Sequence, residues 1–209
     1  MGNGLNQFNL IQMSAIQEMA NIGLGNAVTA LSTLTNAPFN ITVPSVETVA
    51  LADLTDRLDA GAGLCVAVLT SIDGDVGGYN AFIFPWQGAQ KLWTLLLGQC
   101  PESPEEIDEM YGSTILEVGN ILTSSFLNAL SEMSGLALHV SPPQVGVDDA
   151  ATLVSSIVVE AEMGDMVALA VETQILGPSV DECSGFFVCI PTLDGLNRLF
   201  AQLGISEAA

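Results

Sequence analysis

Ser14-Ala15-Ile16-Gln17-Glu18-Met19-Ala20-Asn21 (SAIQEMAN) is answered later in the chain by Ser113-Thr114-Ile115-Leu116-Glu117-Val118-Gly119-Asn120 (STILEVGN). In each stretch Ser, Glu and Asn stand at i, i+4 and i+7, which on a helix puts them within an arc of roughly 60°. The offset is constant: 113−14, 117−18 and 120−21 all equal 99, as does 143−44 for Pro44 and Pro143. Aligned without a gap, 14–44 and 113–143 share nine identities in 31 positions, against roughly two by chance. The spacing predicts an internal duplication.

Outward from the first stretch, Ile16, Met19, Gly23, Ala27, Ala30 and Leu34 recur at helical spacing, predicting one amphipathic helix from about Asn9 to Asn36. Two glycines in a helix cost about 1 kcal/mol each relative to alanine. Gly23 falls on the apolar side, where it admits close packing. Gly25, eleven residues after Ser14, returns to the polar face and leaves it bare; its counterpart in the second stretch is the small Ser124. A second helix is predicted over 106–133, ended by Ser134–Gly135.

Strands are expected at 40–51, with Pro44 marking an edge, bulge or bend, and at 64–72 and 76–84 around an Asp73–Gly74 turn. Residues 52–59 read as a short helix or loop. Pro85 to Leu97, stopped by Gly98, reads as a helix, and 100–107 as a linker. The second half repeats the order: a strand near 136–147 with Pro142 and Pro143, a short helix at 149–159, strands near 165–175 and 184–190, and a helix from Pro191 to Gly204. Pro85/Pro191 and Gly98/Gly204 are offset by 106, so about seven residues are inserted in the second half. The expectation is an α+β single domain of two helix-plus-sheet repeats, 1–99 and 108–209 joined by 100–107. A pseudo-twofold relates them, with two long helices over a shared antiparallel or mixed sheet.

Hydrophobic residues make up 49% of the chain, enough for a sizeable core. Arg57, Lys91 and Arg198 are the only cations against 24 carboxylates, a net charge of −21. Such a surface repels phosphate backbones and anionic lipid, which disfavours nucleic-acid and membrane roles. A salt-rich cytoplasm and an ordinary acidic protein both accommodate this balance. Cys65, Cys100, Cys183 and Cys189 lie in or beside apolar segments without zinc or redox spacing and read as free buried thiols. The N-terminus has no cationic, then apolar, leader pattern, and a cytoplasmic location is expected.

The single histidine, His139, has Asn40 as its counterpart and reads as a strand residue, leaving no Ser–His–Asp or Cys–His machinery. Gly61–Ala62–Gly63 and Gly23–Leu24–Gly25 lack the lysine and spacing of a nucleotide loop. Asp53, Asp56 and Asp59 around Arg57 read as a solvated helix face rather than a metal site. The duplicated Glu/Asn pair remains. An amide cannot act as a base, but its donor and acceptor can orient water toward a bond whose leaving group is already good.

Ser-x3-Glu-x2-Asn followed by 22 residues and Pro, present twice, resembles the signature of the CheC/CheX/FliY family of chemotaxis phosphatases. Asn21-Ile22-Gly23-Leu24-Gly25-Asn26, Val43-Pro44-Ser45-Val46, Asn120-Ile121-Leu122-Thr123-Ser124-Ser125 and Ser141-Pro142-Pro143 look like the two-copy CheC pattern. The resemblance implies hydrolysis of the aspartyl phosphate of a CheY-type response regulator. In the family the glutamate contacts the regulator's lysine, the asparagine positions water, and the regulator supplies Mg²⁺, so no cofactor is expected here. By that carry-over Glu18 and Asn21 form one catalytic site and Glu117 and Asn120 the other. Ser14, Ser113, Gly25 and Ser124 have supporting roles, and Pro44 and Pro143 are structural markers. The resemblance also implies CheD as a partner. A non-catalytic adaptor for CheD or the flagellar switch is the alternative.

Overall fold

The computed structural model describes residues 9–36, 38, 40–50, 53, 63–160, 167–177 and 180–205. Helix α1 (Leu10–Thr35) starts where Asn9 closes a capping box: its side chain accepts from the Gln12 backbone, and the Gln12 side chain accepts from the Asn9 N–H. It ends at Asn36, which adopts the left-handed conformation at φ 52°. Strands β1 (Asn40–Ala50), β2 (Leu64–Gly74) and β3 (Gly78–Pro85) follow, then α2 (Trp86–Leu97), capped by Gly98 at φ 75°.

A 3₁₀ turn (Pro104–Glu106) leads into α3 (Glu109–Ser134), whose N-cap Asp108 accepts from Tyr111 N and whose C-cap is Gly135. Both long helices have 26 residues, and their starts (109−10), ends (134−35) and caps (108−9, 135−36) all stand 99 apart. The second half continues with β4 (Leu138–Val140), β5 (Gln144–Asp149), α4 (Ala150–Glu160), β6 (Val167–Gly177), β7 (Val180–Pro191) and α5 (Leu193–Gln202).

The architecture is α+β. The strands form one sheet in the order β1-β6-β7-β3-β2-β4, with β5 also on β2, and every pairing among the described residues is antiparallel. The halves interleave at the edges: β1 pairs with the β6–β7 hairpin, and β4 and β5 pair with the β2–β3 hairpin. Alternation along the strands divides the core. Val66, Val68, Phe82, Phe84 and Phe187 face a layer containing α1, α2, α3 and α5; Cys65, Ala67, Ile83 and Val188 face Ala150, Leu153 and Val154 of α4.

Four expectations are corrected. Asp73–Gly74 is not the hairpin turn, which falls at 75–77. These two residues pair with His139 and Leu138 of β4, and Asp75 exchanges hydrogen bonds with Ala137 at 2.8 and 2.9 Å. The strand expected over 136–147 is two strands: the Ser141 N–H still donates to the Ser71 carbonyl of β2 at 3.1 Å, and Pro142-Pro143 then interrupts the ladder because proline offers no N–H. Pro44, at the equivalent place in β1, lies in a register shift between Thr42 and Ser45. The last helix starts at Leu193, since the Thr192 hydroxyl caps Gly195 N. Its cap thus stands 107 residues from Pro85, the cap of α2. Finally, Ala30 and Leu34 of α1 are exposed, unlike Ile16, Met19, Gly23 and Ala27. The expectations for 52–59 fall largely outside the described residues.

Candidate functional site on two helix faces

The face of α1 turned from the sheet carries Ser14, Glu18, Asn21 and Gly25, all exposed, while Ile16, Met19, Ala20, Leu24 and Ala27 are buried behind it. That division follows from helical spacing, which keeps the residues at i+4 and i+7 with the one at i. A Cβ added at Gly25 would meet nothing within 4 Å, so the bare patch beside Asn21 is open. No side-chain hydrogen bond holds the Asn21 amide among the described residues.

On α3, Ser113 and Glu117 are exposed and Asn120 and Ser124 are half-buried. The Ser113 hydroxyl donates to the Met110 carbonyl at 3.1 Å. The Ser124 hydroxyl donates to Asn120 Oδ1 at 3.4 Å. Behind this face Gly119 lies against Val68 of β2, where a Cβ would stand 2.5 Å from Val68 Cγ1, so α3 is seated closely on the sheet. The buried Trp93 indole N–H donates to the Tyr111 carbonyl at 2.9 Å and ties α2 to the first turn of α3.

Leu34, Leu96, Leu97 and Val118 with Ser113, Thr114 and Glu117 line an open groove beside the second face. Leu34 lies five helical turns after Ile16 and points the same way, yet it is 57% exposed because the end of α1 borders this groove. The sequence pattern placed Leu34 in the core and did not indicate the groove.

Pro44 follows Val43, whose carbonyl accepts from the Gln17 side chain of α1 at 3.3 Å. Pro44 lies within β1, and Pro143 lines a separate hollow with Leu69, Ser71 and Tyr79. His139 is exposed on β4, opposite Asp73. Asp56 and Asp59 lie outside the described residues, and among the described residues no three His, Cys, Asp or Glu side chains are grouped to hold a metal ion. No helix among them is long and apolar enough to cross a membrane. Each helix face therefore presents a solvent-accessible carboxylate and, one turn on, an amide. The pair can receive a cation and orient water.

The model of the CheC-like family matches residues 11–47 and 110–147, which contain both faces. The chain is 31% identical over 199 residues to the CheY-P phosphatase CheC of Bacillus subtilis (strain 168), covering 93% of this chain and 95% of that protein. Among solved structures, Thermotoga maritima FliY superposes with a TM-score of 0.78 at 21% identity, covering 95% of this chain and 98% of that one. CheX in the CheX–CheY–BeF₃–Mg²⁺ complex of Borrelia burgdorferi superposes with a TM-score of 0.52 at 19% identity, covering 83% of this chain and 98% of that chain.

Proposed function

The chain belongs to the CheC-like family, and on that premise we propose that it is a chemotaxis phosphatase that hydrolyses the aspartyl phosphate of a CheY-type response regulator. The observation that carries the reading is the Ser/Glu/Asn face, exposed on α1 and exposed but for the half-buried Asn120 on α3, inside both segments matched by the family model.

An aspartyl phosphate is a mixed anhydride with a good leaving group, so positioning and charge stabilisation suffice for its hydrolysis. Asn21 or Asn120 holds a water in line with the phosphorus. The water oxygen bonds to phosphorus as the bond to the aspartyl oxygen breaks. The carboxylate is regenerated, and the water's oxygen and both its protons end on the inorganic phosphate, released as H₂PO₄⁻. Glu18 or Glu117 pairs with a lysine of the regulator as water leaves the interface, where a charge-assisted contact is strongest. The Mg²⁺ belongs to the regulator, and this chain brings no cofactor. The open surface at Gly25 and the small Ser124 leave room for the partner's backbone.

The same reading makes the chain one pseudo-symmetric unit, 1–99 and 108–209 joined by 100–107, derived by duplication and working in the cytoplasm. CheD is its second protein partner.

The test follows decay of a phosphorylated CheY with wild type, Asn21→Ala, Asn120→Ala and the double variant. Each single variant is expected to lose part of the acceleration and the double variant about 100-fold or more, the scale of removing one positioned polar group per site. No acceleration by wild type, with binding to the regulator or CheD intact, identifies a non-catalytic adaptor for CheD or the flagellar switch instead.

A further inference from the structure

We infer that Ser124 is a positioning residue for Asn120, holding its carboxamide in one orientation at the second face, and that Gly25 leaves Asn21 without such a hold at the first. The inference rests on the proposed phosphatase reading and concerns how one of its two sites is built.

A helical serine or threonine ordinarily donates its hydroxyl to the carbonyl four residues back. Thr33, Thr94, Thr114, Ser134 and Ser156 all do so here, to Thr29, Gln90, Met110, Leu130 and Thr152 at 2.6–3.0 Å. Ser124 departs from that habit. The residue four back is Asn120, and the hydroxyl goes to its side-chain Oδ1, at 3.4 Å a longer and weaker contact than those five, instead of to its backbone oxygen.

The consequence follows from amide chemistry. Oδ1 has two lone pairs and Nδ2 two hydrogens. Ser124 occupies one lone pair, leaving the other and both N–H groups for water. A fixed amide loses less rotamer freedom when the reaction geometry is reached, so the contact favours the productive arrangement. Partial burial of Asn120 strengthens the hold by excluding competing water. Asn21 is exposed and has neither advantage.

Each face can be measured alone by removing the opposite asparagine. With Asn21→Ala in place, Ser124→Ala is expected to lower kcat by about 2- to 3-fold, the worth of one long hydrogen bond, with KM unchanged. Ser124→Thr, which keeps a hydroxyl, restores it. With Asn120→Ala in place, Gly25→Ser is expected to raise kcat, since a Cβ there meets no neighbour. In the free protein, ¹⁵N relaxation is expected to show a more rigid Asn120 side-chain amide than that of Asn21, loosened by Ser124→Ala. Unchanged kcat for Ser124→Ala, or an Asn120 amide as mobile as that of Asn21, overturns the inference. Failure of the phosphatase reading is distinguished by wild type giving no acceleration, and the relaxation comparison still decides the Ser124 contact in that case.

Discussion

Gly23 of α1 lies against Phe126 of α3 so closely that a Cβ on Gly23 would stand 2.6 Å from the Phe126 Cα. The two helices that carry the candidate sites meet backbone to backbone at this point, and no flexible side-chain end can yield. Two residues on, Gly25 faces open space on the same helix.

These two glycines should respond oppositely to alanine. Gly25→Ala is expected to stabilise by up to about 1 kcal/mol, through helix propensity alone. Gly23→Ala gains the same propensity but must push the helices apart, at a cost of about 1–3 kcal/mol, so its net effect is neutral to destabilising. Urea unfolding of the two variants, read as midpoints at constant m, checks the difference.

Thr70 and Thr173 form a second contrasting pair. Both are buried in the sheet, yet the Thr173 hydroxyl donates to Gly185 O at 2.9 Å, whereas Thr70 Oγ1 has no hydrogen-bond partner among the described residues. An orphaned buried hydroxyl is costly and a paired one favourable, each by about 1 kcal/mol. Thr70→Val should therefore raise stability and Thr173→Val lower it, measured by the same unfolding experiment.

Burial pushes the Cys189 thiol up to about 12. A thiol held neutral in the fold but ionising near 8.5 when unfolded contributes stability that is complete below the unfolded value and is lost as pH rises toward the folded one. Alkylation with iodoacetamide under native conditions is expected to modify half-buried Cys100 before buried Cys65 and Cys189. Cys189→Ala should reduce the loss of stability at alkaline pH.

Asp149 sits at the start of α4, accepting from the Thr152 N–H at 2.9 Å and its hydroxyl at 2.8 Å. These bonds hold its carboxyl below the usual value. Its stabilisation is present above the unfolded carboxylate pKa and is lost as pH falls through the lower folded value. Asp149→Ala should thus lower the thermal midpoint at about pH 6, while the difference from wild type shrinks toward about pH 2, well below the ordinary carboxylate range. Calorimetric or circular-dichroism melts at both pH values test this.

Helical information in this chain is local, and the sequence carried it. The i, i+4, i+7 spacing placed Ser14, Glu18 and Asn21 on one face, and Ser113, Glu117 and Asn120 on another. The constant offset of 99 anticipated helices whose caps stand that far apart. Proline and glycine marked Pro85 and Gly98 at the two ends of α2.

Strand pairing is not local. A β-branched segment exposes the same ladder of N–H and C=O groups to any partner, so nothing in residues 40–51 says that β1 completes the β6–β7 hairpin, or in 144–149 that β5 joins β2. Exposure of Leu34 depended on which elements end beside the last turn of α1. The sequence by itself determined which residues share the two helix faces, because 3.6-residue periodicity needs only neighbouring residues. The tertiary structure alone decided how the two halves interleave, how tightly Gly23 meets Phe126, and how far Asn120 is buried where Ser124 reaches its amide, because those depend on contacts between segments distant in the chain.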